Sequence, residues 1–320
     1  MDAYARSFRA MGGPCEVRVH APDPALAEEW LCAAEGEVRR LEAKYSRYRE
    51  DSVCSAINRS AGDARGVVVD DETAALLDYA GIAHAQSGGL FDITSGVLRR
   101  AWDWKSGVPP RSGQLTDLLA LVGWERIAWE RPRVVLPAEG MELDLGGYGK
   151  EYAVDRVVGL LREAGARHGT VNLAGDVAIV GPRPDGSAWP VGIRHPRDPG
   201  RALLALPMDR GALASSGDYE RFMEVDGRRL CHVLDPRTGW PVEALAAVSV
   251  VSDHCLVAGT ATTIAMLKGE DGPAWLAELG LPHLWIARDG RRGGSLWPDA
   301  PAPRDPRATR SGRSSRADAP

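Results

Sequence analysis

No run of apolar residues in this chain is long enough to span a bilayer, and the opening Met1-Asp-Ala-Tyr-Ala-Arg-Ser-Phe lacks the apolar stretch and cleavage site of a secretory signal. Cysteine is sparse. Cys15, Cys32, Cys54, Cys231 and Cys255 are odd in number, widely spaced and in no C-x-x-C arrangement, which argues against a disulfide framework and against a zinc site. These absences predict free thiols and a cytoplasmic location for a chain that starts at this methionine; export would need a signal upstream of it. No block of one charge sign is present either. The formal net charge is −5 and the arginines are dispersed, so no face announces nucleic acid, and a small molecule or a protein is the expected partner.

What is present is core-forming. The chain has 320 residues, 44% of them hydrophobic, enough for one large domain or two ordinary ones, and no internal repeat. Glu16 to His20 alternates as a strand. Asp23-Pro24 then reads as an N-cap with proline in the first turn, and Leu26, Trp30, Ala34, Val38, Leu41 and Tyr45 recur at helical spacing to about Tyr45. Ser46 to Asn58 reads as an irregular polar connection. A second helix is predicted from about Glu72, capped by Asp71 and stopped by Ser87-Gly88-Gly89. Short strands are predicted at 134–136 and 141–145, followed by the glycine turn Gly146-Gly-Tyr-Gly149-Lys150 and a helix over 152–164. Further strands are expected at 169–173, 177–180, 191–194, 247–251 and 284–287, with helices near 261–267 and 273–279. This mixture without a strict βαβ rhythm indicates an α+β fold, with mixed or antiparallel sheets and helices packed on them. Residues 1–297 are expected to form the folded domain, and 298–320, rich in Pro, Arg and Ser, a disordered tail.

Several segments carry chemistry. Asp226-Gly227 lies between Phe222-Met-Glu-Val225 and Arg229-Leu-Cys-His-Val-Leu234, the pattern of a tight hairpin. That places His232 on a strand, with Asp235-Pro-Arg-Thr-Gly239 as a turn able to bring Asp235 and nearby amides back toward the ring. The residues alone leave open a catalytic histidine or a core one. Gly146, Gly147 and Gly149 before Lys150 put bare amides and an ammonium where a phosphate could sit, although such turns are often only turns. Asn172-Leu-Ala-Gly175-Asp176 and Ala214-Ser-Ser-Gly217-Asp218 each place an aspartate after a small-residue turn, suited to a metal or ribose ligand or simply to ending a strand. Ser216, His232 and Asp235 make a poor hydrolase triad, because no glycine-flanked nucleophile elbow surrounds the serine.

In order, Met11-Gly12-Gly13, Ser46-Arg-Tyr48 with Asn58, Gly89-Leu-Phe91-Asp92-Ile-Thr94, Asp144-Leu-Gly-Gly-Tyr-Gly-Lys150-Glu-Tyr-Ala-Val-Asp155, Asn172 to Asp176, Ser215-Ser-Gly-Asp-Tyr219 and His232 to Pro241 resemble the ApbE-type flavin transferases over about residues 11–290. That family moves FMN from FAD onto a protein hydroxyl. The resemblance implies a two-lobed fold related to the T-fold, and an acceptor flavoprotein offering a threonine or serine. It places Met11, Tyr48, Leu90, Phe91 and Asp92 around the flavin and adenine of FAD, Lys150 and Asp155 near the diphosphate, and His232 at the transferring centre. It also places Mg²⁺ at Gly149 and Thr263. One departure stands out. The family's metal segment Ala-Asp-Ala-x-Ala-Thr-Ala reads here Ala258-Gly259-Thr-Ala-Thr-Thr263-Ile, with glycine in the aspartate position, while Glu151 replaces the usual glycine after Lys150. From sequence, Glu151 and Asp253 are both open as substitutes. Two other readings follow: an FAD-binding module with lost catalysis, and an FAD pyrophosphatase giving FMN and AMP.

Overall fold

A computed structural model describes residues 1–298, so almost all of the proposed tail lies outside the described residues. Its centre is an eight-stranded sheet, antiparallel throughout: β1 (Asp2–Ala10), β2 (Gly13–Ala21), β3 (Gly169–Leu173), β4 (Asp176–Gly181), β5 (Ala212–Gly217), β6 (Leu245–Ser252), β7 (His283–Ala287) and β8 (Arg292–Gly293). The strands lie in the sheet in their order along the chain. Every helix among the described residues is inserted between two of these strands. The helices are α1 (Pro24–Tyr45), α2 (Val53–Arg59), α3 (Asp71–Ser87), α4 (Ser112–Leu119), α5 (Gly149–Glu163), α6 (Cys255–Lys268) and α7 (Gly272–Glu278). The sheet and helices confirm the α+β class.

One face of the sheet is covered by α1, α5 and α6, whose Ala34, Val38, Val154, Val157 and Ile264 share a core with Val17, Val171 and Val248. Beyond β2 the other face is covered too. The hairpin Trp189–His195 with Asp198–Met208 packs Val191, Ile193 and Met208 onto Ile179, Leu213 and Leu284. This two-sided cover explains why β6 is buried almost without alternation, whereas β2, covered on one side only, alternates. A second lobe forms around Trp102, which stacks on Trp104 and packs edge-on against Trp240, with Met223 and Leu230 beneath.

The local signals account for most boundaries. Asp23 caps α1 by accepting from the Leu26 amide, with Pro24 in the first turn. The cap of α3 is Asp70, one residue earlier than expected, accepting from Thr73. Asp226 and Gly227 both adopt positive φ and join Phe222–Val225 to Arg228–Cys231 as a hairpin. His232 falls just past that hairpin's second strand rather than on it. All five cysteines are free, and no helix among the described residues is long and apolar enough to cross a membrane.

Two expectations fail for physical reasons. The polar connection before Asn58 contains α2, whose seven residues bury only Cys54 and Ile57, too few to show a period. Residues 141–145 form no ladder. The Asn58 side chain takes the part of a neighbouring strand, accepting from the Leu143 amide at 2.6 Å and donating to its carbonyl at 3.0 Å. Asn58→Ala is therefore expected to lower stability by about 2 kcal/mol, since the Leu143 amide loses its partner and the Leu143 carbonyl keeps only the weak Cys54 thiol donor. Thermal unfolding checks it, and an unchanged Tm refutes it.

Candidate active site

One end of the sheet gathers the motif residues. The turn at Met11 and Gly12 joins β1 to β2, and the turn at Ala174 and Gly175, closed by Asn172 Oδ1 on the Gly175 amide, joins β3 to β4. The two turns touch. A β-carbon on Gly13 would lie 2.4 Å from that of Ala174, so only glycine allows this approach. The last residues of β5 and the first of β6 end beside them, and the chain leaving His232 returns through the Leu234–Pro241 bridge toward β6.

Behind these turns the amino end of α5 meets α6 and β5. Lys150 Nζ forms an ion pair with the buried Asp176 at the start of β4 and lies 3.3 Å from Glu151 Oε1. Asp176 Oδ1 also accepts from the Ser215 amide. Ser216 Oγ lies 2.8 Å from Thr262 Oγ1 and 3.4 Å from Thr263 Oγ1. Gly259 and Thr263, four residues apart, share one face of α6. Gly259 faces Glu151, and a β-carbon there would lie 2.4 Å from Glu151 Cγ. Gly146 and Gly147 are exposed ahead of α5, as a phosphate-facing turn requires.

The open side is cationic. His232 is exposed, with its amide on the Arg221 carbonyl. Weakened hydration among the surrounding protein atoms, and then the Arg221 guanidinium, hold its pKa below the ordinary imidazole value. Arg221 also lies over Gly12, 3.5 Å from where its β-carbon would be. Tyr48 is 75% exposed, an unusual position for so large a ring. Its neighbour Arg47 donates to its hydroxyl, lies over its ring and forms an ion pair with Asp144. Although desolvation opposes it, that hydrogen bond and the charges of Arg47, Arg221 and Arg99 hold the Tyr48 hydroxyl below its ordinary pKa. A groove of about 770 Å³ runs past Arg47, Tyr48, Asn58 and Arg99. Arg47 and Arg221 are the site residues that sequence reasoning passed over. Arg47 stood inside the Ser-Arg-Tyr motif, and Arg221 two residues after Tyr219.

Other candidate site residues make contacts within the fold. The two carboxylate oxygens of Asp155 accept from the Cys255 and Leu256 amides and cap α6 from a neighbouring helix. Its burial raises its pKa. Leu90, Phe91 and Asp92 are buried. Phe91 packs against Tyr148, and Asp92 accepts from Thr94 and from the Trp124 amide, contacts that hold the shape of the loop they stand on. Asp235 does not turn back toward His232. Its carboxylate binds Arg237, and its carbonyl takes the Thr238 and Gly239 amides, which closes the turn on itself. With the Ser216 hydroxyl engaged by Thr262, no hydrolase triad is assembled.

Comparison with known proteins agrees with this arrangement. A model of the ApbE family matches residues 11–285. An FAD:protein FMN transferase of Klebsiella pneumoniae is 30% identical over 282 residues, 86% of each chain. One of Treponema pallidum is 31% identical over 313 residues, 90% of this chain and 85% of that one. Among solved structures, the ApbE protein of Thermotoga maritima superposes with a TM-score of 0.84 at 28% identity, covering 92% of this chain and 97% of its own. The apo flavinyl transferase ApbE of Pseudomonas stutzeri does so at 0.79 and 28%, covering 91% and 93%.

Proposed function

This chain belongs to the ApbE family, and from that premise we propose that it is an FAD:protein FMN transferase, moving FMN from FAD onto a threonine or serine hydroxyl of an acceptor flavoprotein and releasing AMP. The observation that carries the reading is the convergence at one sheet end of Lys150, Thr263 and the exposed Gly146-Gly147 turn with an open, cationic side bearing His232 and Arg221. In this reading the diphosphate lies along the amino end of α5, where bare amides and the Lys150 ammonium offset its charge. The exposed Tyr48 ring and Met11 offer flat, polarisable surface to the aromatic parts of FAD. His232, its pKa held low, is neutral at physiological pH and takes the proton of the incoming hydroxyl as that oxygen bonds to the FMN-side phosphorus and AMP departs.

The residues present fit a hard divalent cation: Thr263 supplies a hydroxyl, Gly149 begins the facing helix, and the buried Glu151 has one carboxylate oxygen without a protein partner. Mg²⁺ bound there would offset charge on the diphosphate. Five free thiols favour a reducing, cytoplasmic setting. The glycine at position 259 favours a second reading, a flavin-binding module without catalysis. Incubation with FAD, Mg²⁺ and a flavoprotein acceptor separates them. AMP release with fluorescent acceptor in a denaturing gel is the expected result. AMP without labelled acceptor would mean FAD hydrolysis, and bound FAD without AMP would leave only the binding module.

A further inference from the structure

We propose that Glu151, on α5, supplies this chain's metal-binding carboxylate, reaching across to the place where relatives of this type carry it on α6. The inference rests on reading the site as a metal-assisted flavin-transfer centre. Three observations lead to it. The Glu151 side chain fills the space over Gly259: a β-carbon on that glycine would lie 2.4 Å from Glu151 Cγ, 2.9 Å from Cδ and 3.0 Å from Oε1. An aspartate at 259 would require the Glu151 side chain to move out of that volume. Glu151 is also only 8% exposed, and its Oε2 has no hydrogen-bond partner, while Oε1 has Lys150 Nζ at 3.3 Å. A buried carboxylate oxygen left unpaired is costly, and a cation removes that cost. Finally, Thr263, the retained hydroxyl ligand, stands one helical turn beyond Gly259 on the same face of α6.

Asp253 does not compete for the role. It is exposed and lies beside Gly211, five residues along β5 from Ser216, a span of about 17 Å. The two departures from the family pattern, a carboxylate gained at 151 and lost at 259, are thus a single exchange across the α5–α6 contact.

The test is direct metal binding by the full chain. Mn²⁺ is titrated with FAD present, and free Mn²⁺ is followed by its paramagnetic resonance signal. Glu151→Gln keeps the shape of the side chain, so its Tm should stay near the parent's while the Mn²⁺ Kd rises about tenfold or more. Gly259→Asp alone should lower Tm, because the new side chain meets Glu151. The double variant Glu151→Gly with Gly259→Asp should recover both Tm and Mn²⁺ affinity. Unchanged Mn²⁺ affinity in Glu151→Gln, no Mn²⁺ binding by the parent, or a folded double variant binding no better than Glu151→Gln overturns the assignment. The transferase reading fails separately. AMP release that needs the metal equally in parent and Glu151→Gln removes Glu151 and keeps the enzyme, whereas Glu151-dependent Mn²⁺ binding without AMP release does the reverse.

Discussion

His232→Ala is expected to reduce FMN transfer by about 10²- to 10⁴-fold, the range of a positioned proton acceptor, while FAD still binds. Retained binding follows from geometry, because the ring lies on the open side of the site and the charges proposed for the diphosphate stand on α5. The pH dependence has a definite sign. Weakened hydration and the Arg221 charge both favour the neutral imidazole, so the folded pKa lies below the unfolded value of about 6.5. Transfer should therefore stay high down through that pH and fall only below it. Arg221→Gln removes one of the two causes and should move the acidic limb of kcat upward, toward 6.5. The same shift means that protonating His232 costs the folded state more than the unfolded one, so this residue's contribution to stability declines as pH falls through that window. AMP release by His232→Ala within twofold of the parent would sink its role as a base.

Asp218→Asn should give the largest loss of stability. Asp218 is completely buried at the end of β5, and its carboxylate takes two hydrogen bonds from Arg197, at 2.5 and 2.8 Å, with Arg288 at 3.0 Å. One charge thus ties the covering hairpin, through Arg197, and the residue after β7, through Arg288, to the central sheet. Asparagine keeps the shape but leaves two guanidinium groups facing a neutral amide. Breaking a buried pair from one side costs about 3–5 kcal/mol; the lower end applies here because Arg197 keeps partial contact with water. For a chain of this size that corresponds to a fall in Tm of roughly 5 °C, measured by calorimetry. A fall under about 2 °C would mean that the two arginines find other partners.

Local signals were legible because they act over a few residues. The Asp23-Pro24 start of α1, the Asp226-Gly227 hairpin and the glycine stop after Ser87 each depend on one or two backbone angles and a nearby hydrogen bond. The central strands were legible as well, since β6 and β7 must be apolar to lie between two layers. Asn58 illustrates the limit. Its place in a recurring motif was visible, but not that it would pair with the backbone of Leu143, 85 residues away. Asp155 is similar: its position within α5 says nothing of the helix start 100 residues later that it caps.

The α+β class, the family resemblance, His232 and Lys150 as candidates, and the missing aspartate at 259 are all legible without coordinates, because they are matters of residue type and order. The contacts of Phe91 with Tyr148, of Asp92 with the Trp124 amide and of Asp155 with the start of α6, the approach of Arg221 to His232, and the place of Glu151 above Gly259 come from long-range packing. Those outcomes depend on which helix faces meet. A chain that leaves the sheet between β2 and β3 and returns nearly 150 residues later carries no local record of that meeting.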